Sequence, residues 1–88
     1  MFYYVYVLES RKYRRHYIGY TNDLRKRVGE HNCGKNISTK KYIPWVLIYY
    51  EACLDRNDAT RREKYLKTTQ GNRFFKRRIK EYIYKEIY

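Results

Sequence analysis

Only three short runs of this chain read as β-strands, and three strands cannot bury both faces of a sheet by themselves. Residues 2–9 (FYYVYVLE), His16 to Tyr20 and Trp45 to Ala52 (WVLIYYEA) are rich in aromatic and β-branched residues, which is the composition of strands. The remaining segments must therefore supply helices that cover the sheet. In the first run the period of two sends Tyr4, Tyr6 and Leu8 to one face and Tyr3, Val5 and Val7 to the other. Residues 11–15 (RKYRR) are charged and polar, as a hairpin turn is, so the second run is expected antiparallel to the first. The third run is the most strand-like of all and is expected at the centre of the sheet.

Thr21-Asn22-Asp23 is a capping cluster ahead of a helical pattern that runs to about Asn32 and stops near Cys33-Gly34. Residues 34–42 (GKNISTKKY) read as a basic, polar loop, and Pro44 precedes the third strand. Asp55 to Asp58 offers a second set of caps, with a helix from about Asp58 to Lys67. Thr68-Thr69-Gln70-Gly71 reads as a break. From Asn72 to about Glu86 one terminal helix is expected, with Phe75, Ile79, Tyr82 and Ile83 in a single apolar stripe that is core or partner-facing. The predicted fold is α/β in the α+β sense: a small three-stranded antiparallel sheet flanked by helices, in the order ββαβαα. One domain is expected over residues 1–88, with 72–88 as a terminal helix.

Charge narrows the partners. Lys plus Arg number 21 against 9 acidic residues, a net charge of +12, and such a field attracts polyanions in a steeply salt-dependent way. A nucleic-acid enzyme and a nucleic-acid binder share this signature. The 13 tyrosines suit stacking on bases, but also ordinary strand and core positions. No stretch approaches the roughly 20 apolar residues of a membrane span. The start of the chain reads as a strand rather than a signal peptide, so a cytoplasmic location is expected. Cys33 and Cys53 form no CxxC pair and read as two ordinary thiols.

Walker, HExxH and GxSxG motifs are missing, and the two histidines are too few for a histidine-rich metal site. What remains is a set of polar residues in positions that need explaining. At 100° per residue Arg27 falls about 60° from Leu24, inside the apolar sector of its helix that also holds Val28 and His31. An arginine there lines a cleft, finds a partner, or lays its stem on the core. Glu63 shares a helix face with Ala59 and Leu66, so one carboxylate looks inward. It is either a ligand for a hard divalent cation or half of an internal salt bridge, with Arg27 or Arg62 as partner. Tyr6 sits mid-strand, and Tyr17 opens the run Tyr17-Ile18-Gly19 on the neighbouring strand, where their hydroxyls could meet above one face. Gly19, lacking a side chain, lets backbone or substrate come close.

Tyr4-Val5-Tyr6, then Tyr17-Ile18-Gly19, then an arginine ten residues after Tyr17, then a helical glutamate, together resemble the GIY-YIG nuclease family. The first motif is degenerate, with Tyr4 and Val5 where the family name has glycine and isoleucine; the second is intact. The likeness spans about residues 2–80. The runs YIGYTNDLRKRVGEHN, STKKYIPWVLIYYEA and DATRREKYLK look like the compact stand-alone bacterial members. They are also similar to the nuclease domains of the excision-repair incision subunit and of structure-selective junction resolvases. The resemblance implies that Tyr6 and Tyr17 bind or deprotonate the attacking water. It implies that Arg27 stabilises the pentacovalent phosphate and that Glu63 holds one Mg²⁺ or Mn²⁺. His31, one turn beyond Arg27, matches a position near the active centre. It further implies a metal-dependent endonuclease acting on nucleic acid, DNA ahead of RNA, in a context such as DNA repair.

A free tyrosine has a pKa near 10 and is a poor base at pH 7, so the residues alone leave open whether Tyr6 or Tyr17 takes the proton. Lys35, Lys40 and Lys41 in the polar loop are expected along the nucleic-acid path. At this length little sequence selectivity and a monomer or weak homodimer are expected. The rival readings are a non-catalytic nucleic-acid-binding module on the same scaffold and a protein-interaction module using the terminal stripe.

Overall fold

The computed structural model describes residues 1–87. Its elements are β1 (Tyr3–Ser10), β2 (His16–Thr21), α1 (Leu24–Asn32), α2 (Ile37–Lys40), β3 (Trp45–Cys53), α3 (Arg56–Leu66), α4 (Thr69–Arg78) and α5 (Lys80–Ile87). The three strands form one antiparallel sheet in the order β2-β1-β3. This is the α+β arrangement that the strand count demanded, with three departures from the sequence reading.

The first concerns the centre of the sheet. β1, not β3, is the central strand, because β1 alone is buried on both faces and hydrogen-bonded along both edges. Val5 and Val7 pack on one side with Ile18, Ala59, Leu66 and Phe75, beneath α3 and α4. Tyr6 and Leu8 pack on the other with Trp45, Leu24 and Val28, beneath α1. The period-two split of β1 is therefore the split between two core clusters. β3 looked central because WVLIYYEA is dense in apolar residues, yet Val46 and Tyr50 are exposed on this edge strand.

The second departure is α2, one helical turn inside the segment read as a loop. Asn36 caps it, accepting from Ser38 N at 3.0 Å. A four-residue helix is too short to show periodicity.

The third is the C-terminal segment, which is two helices. Thr68 is a cap rather than a breaker: its hydroxyl accepts from Gly71 N at 3.1 Å, and α4 starts at Thr69. The helix ends at Ile79, whose backbone leaves helical geometry (φ −113, ψ 29), and α5 follows. The expected stripe is shared between the two. Phe75 is fully buried against the sheet, whereas Tyr82 donates to the buried Glu9 carboxylate at 2.8 Å. The stripe is core-facing here. Cys33 and Cys53 are free thiols.

Helix α3 is fastened to β3 by a two-pronged ion pair: Arg62 Nε and Nη2 each donate to Glu51 at 2.8 Å, and Tyr49 Oη donates to the same carboxylate. Arg62 is the main reason the Glu51 carboxyl titrates below its ordinary 4.5, against the opposing effect of burial. A depressed folded pKa means that the stabilisation is present above the unfolded value and is lost as pH falls below it. Glu51→Gln should therefore unfold more easily than the parent by about 1 kcal/mol at pH 7, a modest figure for a partly exposed pair. The gap should narrow at pH 3. Thermal melts at the two pH values check this.

Candidate active site

The site begins with a missing side chain. In the β1–β2 ladder Tyr6 lies opposite Gly19, and the phenol ring runs across the space that a residue 19 side chain would occupy. A Cβ there would sit 2.6 Å from Tyr6 Oη, 2.8 Å from Tyr6 Cζ and 3.1 Å from Tyr17 Cε2. Gly19 thus lets the Tyr6 ring reach Tyr17, two residues away on the same face; the ring centroids are 6.3 Å apart. Gly19→Ala should push the Tyr6 ring off its position, and because that ring is fully buried the overpacking should cost about 1–3 kcal/mol, seen as a lower melting temperature. If Tyr6 serves turnover, the rate should drop at least ~10-fold.

Helix α1 crosses this face. Asp23 caps it, accepting from Lys26 N at 3.1 Å, and a glycine at φ +79, Gly34, follows its end. Its inward residues Leu24 and Val28 join the Tyr6 cluster, and His31 is fully buried beside them. The Tyr6 hydroxyl lies 3.0 Å from His31 Nε2. On its other side, His31 Nδ1 lies 2.8 Å from Thr39 Oγ1, and the imidazole centroid is 4.8 Å from the Tyr17 ring. Arg27, one turn earlier, is half-buried. It pairs with Glu30 at 3.1 Å and lines a cleft of about 280 Å³ together with Tyr20, Thr21 and Lys26.

The electrostatics converge on one phenol. Burial raises the Tyr6 pKa above 10.0; the Arg27 guanidinium pulls it back, while Tyr17 and Glu63 push it up again. Of these groups the Tyr17 ring lies 6.3 Å from the Tyr6 ring, and the influence of Glu63 is the smallest. His31 is held below 6.5, first by burial and then by Arg27, with Glu30 opposing.

Glu63 is half-buried on α3, and its carboxylate contacts Lys67 Nζ at 3.2 Å. It forms a salt bridge with neither Arg27 nor Arg62: those guanidinia pair with Glu30 and Glu51. Lys35, Lys40 and Lys41 are exposed, and among the described residues none of them forms an ion pair. Lys40 closes α2 and Lys41 caps it, which sets them next to Thr39. The sequence reading missed Thr39, which lay in a segment taken for loop, and Asn32. The Asn32 amide clamps the start of β3 through Trp45 N (2.7 Å) and Trp45 O (2.9 Å). Only the helix ending at Asn32 hinted at the second.

The profile of the GIY-YIG catalytic domain matches residues 2–79. A UPF0213 protein of Streptococcus pneumoniae serotype 4 is 42% identical over 65 residues, covering 73% of this chain. The matched stretch is 65% of that relative's length, so the chain spans just under two thirds of it. A UPF0213 protein of Staphylococcus haemolyticus is 39% identical over 66 residues, covering 74% of this chain and 79% of its own. The solution NMR structure of a UPF0213 protein from Bacillus halodurans superposes with a TM-score of 0.52 at 29% identity, over 85% of this chain and 82% of that one. With the profile running from β1 into α4, the chain belongs to the GIY-YIG family, a family of nuclease type, and resembles its small UPF0213 members.

Proposed function

We propose that this protein is a metal-dependent endonuclease that hydrolyses phosphodiester bonds of nucleic acid, DNA ahead of RNA, with little sequence selectivity. The observation that supports the reading is the Tyr6 hydroxyl 3.0 Å from His31 Nε2 beside the Tyr17 ring, with Arg27 one turn before His31 on α1. Phosphodiester hydrolysis needs an oriented water, a base, and neutralisation of charge on the phosphoryl oxygens.

Burial holds the His31 pKa below its ordinary 6.5, which favours the neutral ring, and in the tautomer with hydrogen on Nδ1 its Nε2 accepts from Tyr6 at 3.0 Å. As the attacking water gives a proton to Tyr6 Oη, the original Tyr6 proton passes to His31. One water O–H bond breaks, the Tyr6 O–H is renewed, and an N–H forms on His31. No phenolate accumulates, so the raised pKa of Tyr6 is no obstacle. Tyr17, its ring against both Tyr6 and His31, orients the water. Arg27 lines the open cleft, and its planar guanidinium suits the phosphate.

Glu63 fits a single Mg²⁺ or Mn²⁺. Among the described residues no cluster of three or more His, Cys, Asp and Glu side chains is built to cage a metal. One carboxylate completed by substrate oxygens and water is the usual donor set for such an ion at a phosphate. When bound, the ion supplies charge neutralisation at the phosphate and help for the leaving oxygen. Lys35, Lys40 and Lys41, within a net charge of +12, supply backbone contacts that position nucleic acid without reading its sequence. Among the described residues no helix is long and apolar enough to cross a membrane.

A non-catalytic binding module on the same scaffold would keep the basic surface but has no use for a buried Tyr–His pair or an inward carboxylate. Incubating a panel of duplex, branched, nicked and single-stranded DNA and RNA with Mg²⁺, Mn²⁺ or EDTA tests the proposal. Cleavage with either metal and none in EDTA is expected. Retention of substrate in gel shifts without cleavage under any condition would favour the binding module.

A further inference from the structure

We propose that Thr39 is a positioning residue that fixes the tautomer of His31, keeping Nε2 unprotonated toward Tyr6. The direction of the buried hydrogen-bond chain carries this. Thr39 Oγ1 has one hydrogen, and the Asn36 carbonyl oxygen, 3.4 Å away, can accept it. With that hydrogen so placed, the same oxygen accepts from His31 Nδ1, 2.8 Å away, and this is the arrangement proposed. A neutral imidazole protonated at Nδ1 has an acceptor at Nε2, which meets the Tyr6 hydroxyl at 3.0 Å. The chain runs one way, from Tyr6 through His31 and Thr39 to the Asn36 backbone.

Thr39 is itself held from three sides. It is fully buried. Its carbonyl accepts from the Trp45 indole at 2.9 Å, and its amide bonds to Asn36 O at 3.2 Å. Helix α2 is thereby pinned to β3, and the hydroxyl is presented to the imidazole at one fixed angle. The short helix thus matters for more than covering the sheet. Without the hydroxyl, the Nδ1 proton would have no partner in a buried site, and the tautomer with hydrogen on Nε2 would take over, donating to Tyr6. Tyr6 would then lose its proton acceptor. The titratable and charged groups facing His31 are Tyr6 from β1, Tyr17 from β2, and Arg27 and Glu30 from α1. From α2 it meets the neutral Thr39.

The consequence for turnover rests on the nuclease reading, but the tautomer does not, so the two are measured separately. In ¹⁵N-edited NMR of His31 the folded parent protein should show a protonated Nδ1 and a bare Nε2 near pH 7. A protonated Nε2 in the parent overturns the proposal with no variant needed. Thr39→Val, which keeps the shape, should shift the tautomer toward hydrogen on Nε2; Thr39→Ser should keep the parental form. In a cleavage assay Thr39→Val should lose ~10-fold or more in kcat with KM nearly unchanged, and Thr39→Ser should retain most of the rate. Equal losses in the two variants, or a Thr39→Val protein with parental tautomer and rate, would refute a positioning role. Should Thr39→Val fail to fold, Thr39→Ala carries the same comparison. If the parent itself cuts nothing, the nuclease reading falls while the spectrum still decides the tautomer.

Discussion

Glu63→Gln is expected to reduce cleavage by about 10³-fold or more, with nucleic-acid affinity measured in EDTA unchanged or slightly tighter. The amide keeps the size of the side chain and removes the negative charge that makes it a ligand for a hard cation. Little stability is at risk: the partner of Glu63 is Lys67, four residues on, whose side chain is 54% exposed, and such pairs contribute a few tenths of a kcal/mol. The sign of the binding change follows from charge. A carboxylate beside the proposed phosphate site repels it, so replacing Glu63 by the neutral amide relieves repulsion when no metal is present. Single-turnover cleavage and gel shifts at one salt concentration read both quantities. Binding that collapses along with cleavage would mean that Glu63 supports the fold or the interface and is no metal ligand.

Gly71→Ala is expected to be the most damaging small substitution to the fold, costing about 3 kcal/mol or more. A Cβ at this position would overlap the carbonyl oxygen of Tyr65 and the Cα of Leu66. Both are main-chain atoms at the end of α3, so no side chain can swing aside. Helix α4 begins in the crook of α3, with Thr68 capping and Gly71 allowing the backbones to touch. Separating them would withdraw Phe75 from the cluster it shares with Val5, Val7 and Leu66. In a domain of this size that loss lowers the melting temperature by roughly 15 °C. Gly29→Ala is the matched control. It also lies in a helix, but a Cβ there meets nothing within 4 Å, so alanine should raise stability by up to about 1 kcal/mol. Equal melting temperatures for the two variants would contradict the packing account.

The contrast between these glycines shows what a sequence reveals and what it hides. Local periodicity was legible. The alternation of β1 foretold its two faces, though not which helices cover them, and the cap at Asp23 foretold the start of α1. Arg27 stood out because an inward arginine on a short helix calls for a partner, and His31 because it matches a family position one turn beyond. Non-local facts were not legible. WVLIYYEA read as central because strand composition records burial, and Trp45 is buried by α1 and α2 although β3 lies at the edge of the sheet. Thr68 to Gly71 read as a break because a cap and a glycine look alike whether a helix is ending or beginning. Thr39 carried no signal at all, for its importance comes from the imidazole that folding brings to it. The partner of Glu63 was open for the same reason: Arg27 and Arg62 were both candidates, and only the fold sends Arg27 to Glu30 and Arg62 to Glu51 and leaves Lys67 to Glu63.

The central claim is that the carboxylate of α3 and the groups on the other face of β1 serve one phosphate and one ion. Its most direct test is paramagnetic broadening by Mn²⁺, titrated into ¹⁵N-labelled protein with a uniformly phosphorothioate oligonucleotide. The account predicts that the signals of Tyr6, Tyr17, Arg27 and Glu63 vanish first, and that the effect is lost in Glu63→Gln. Broadening centred elsewhere, with those four signals left sharp, would contradict it.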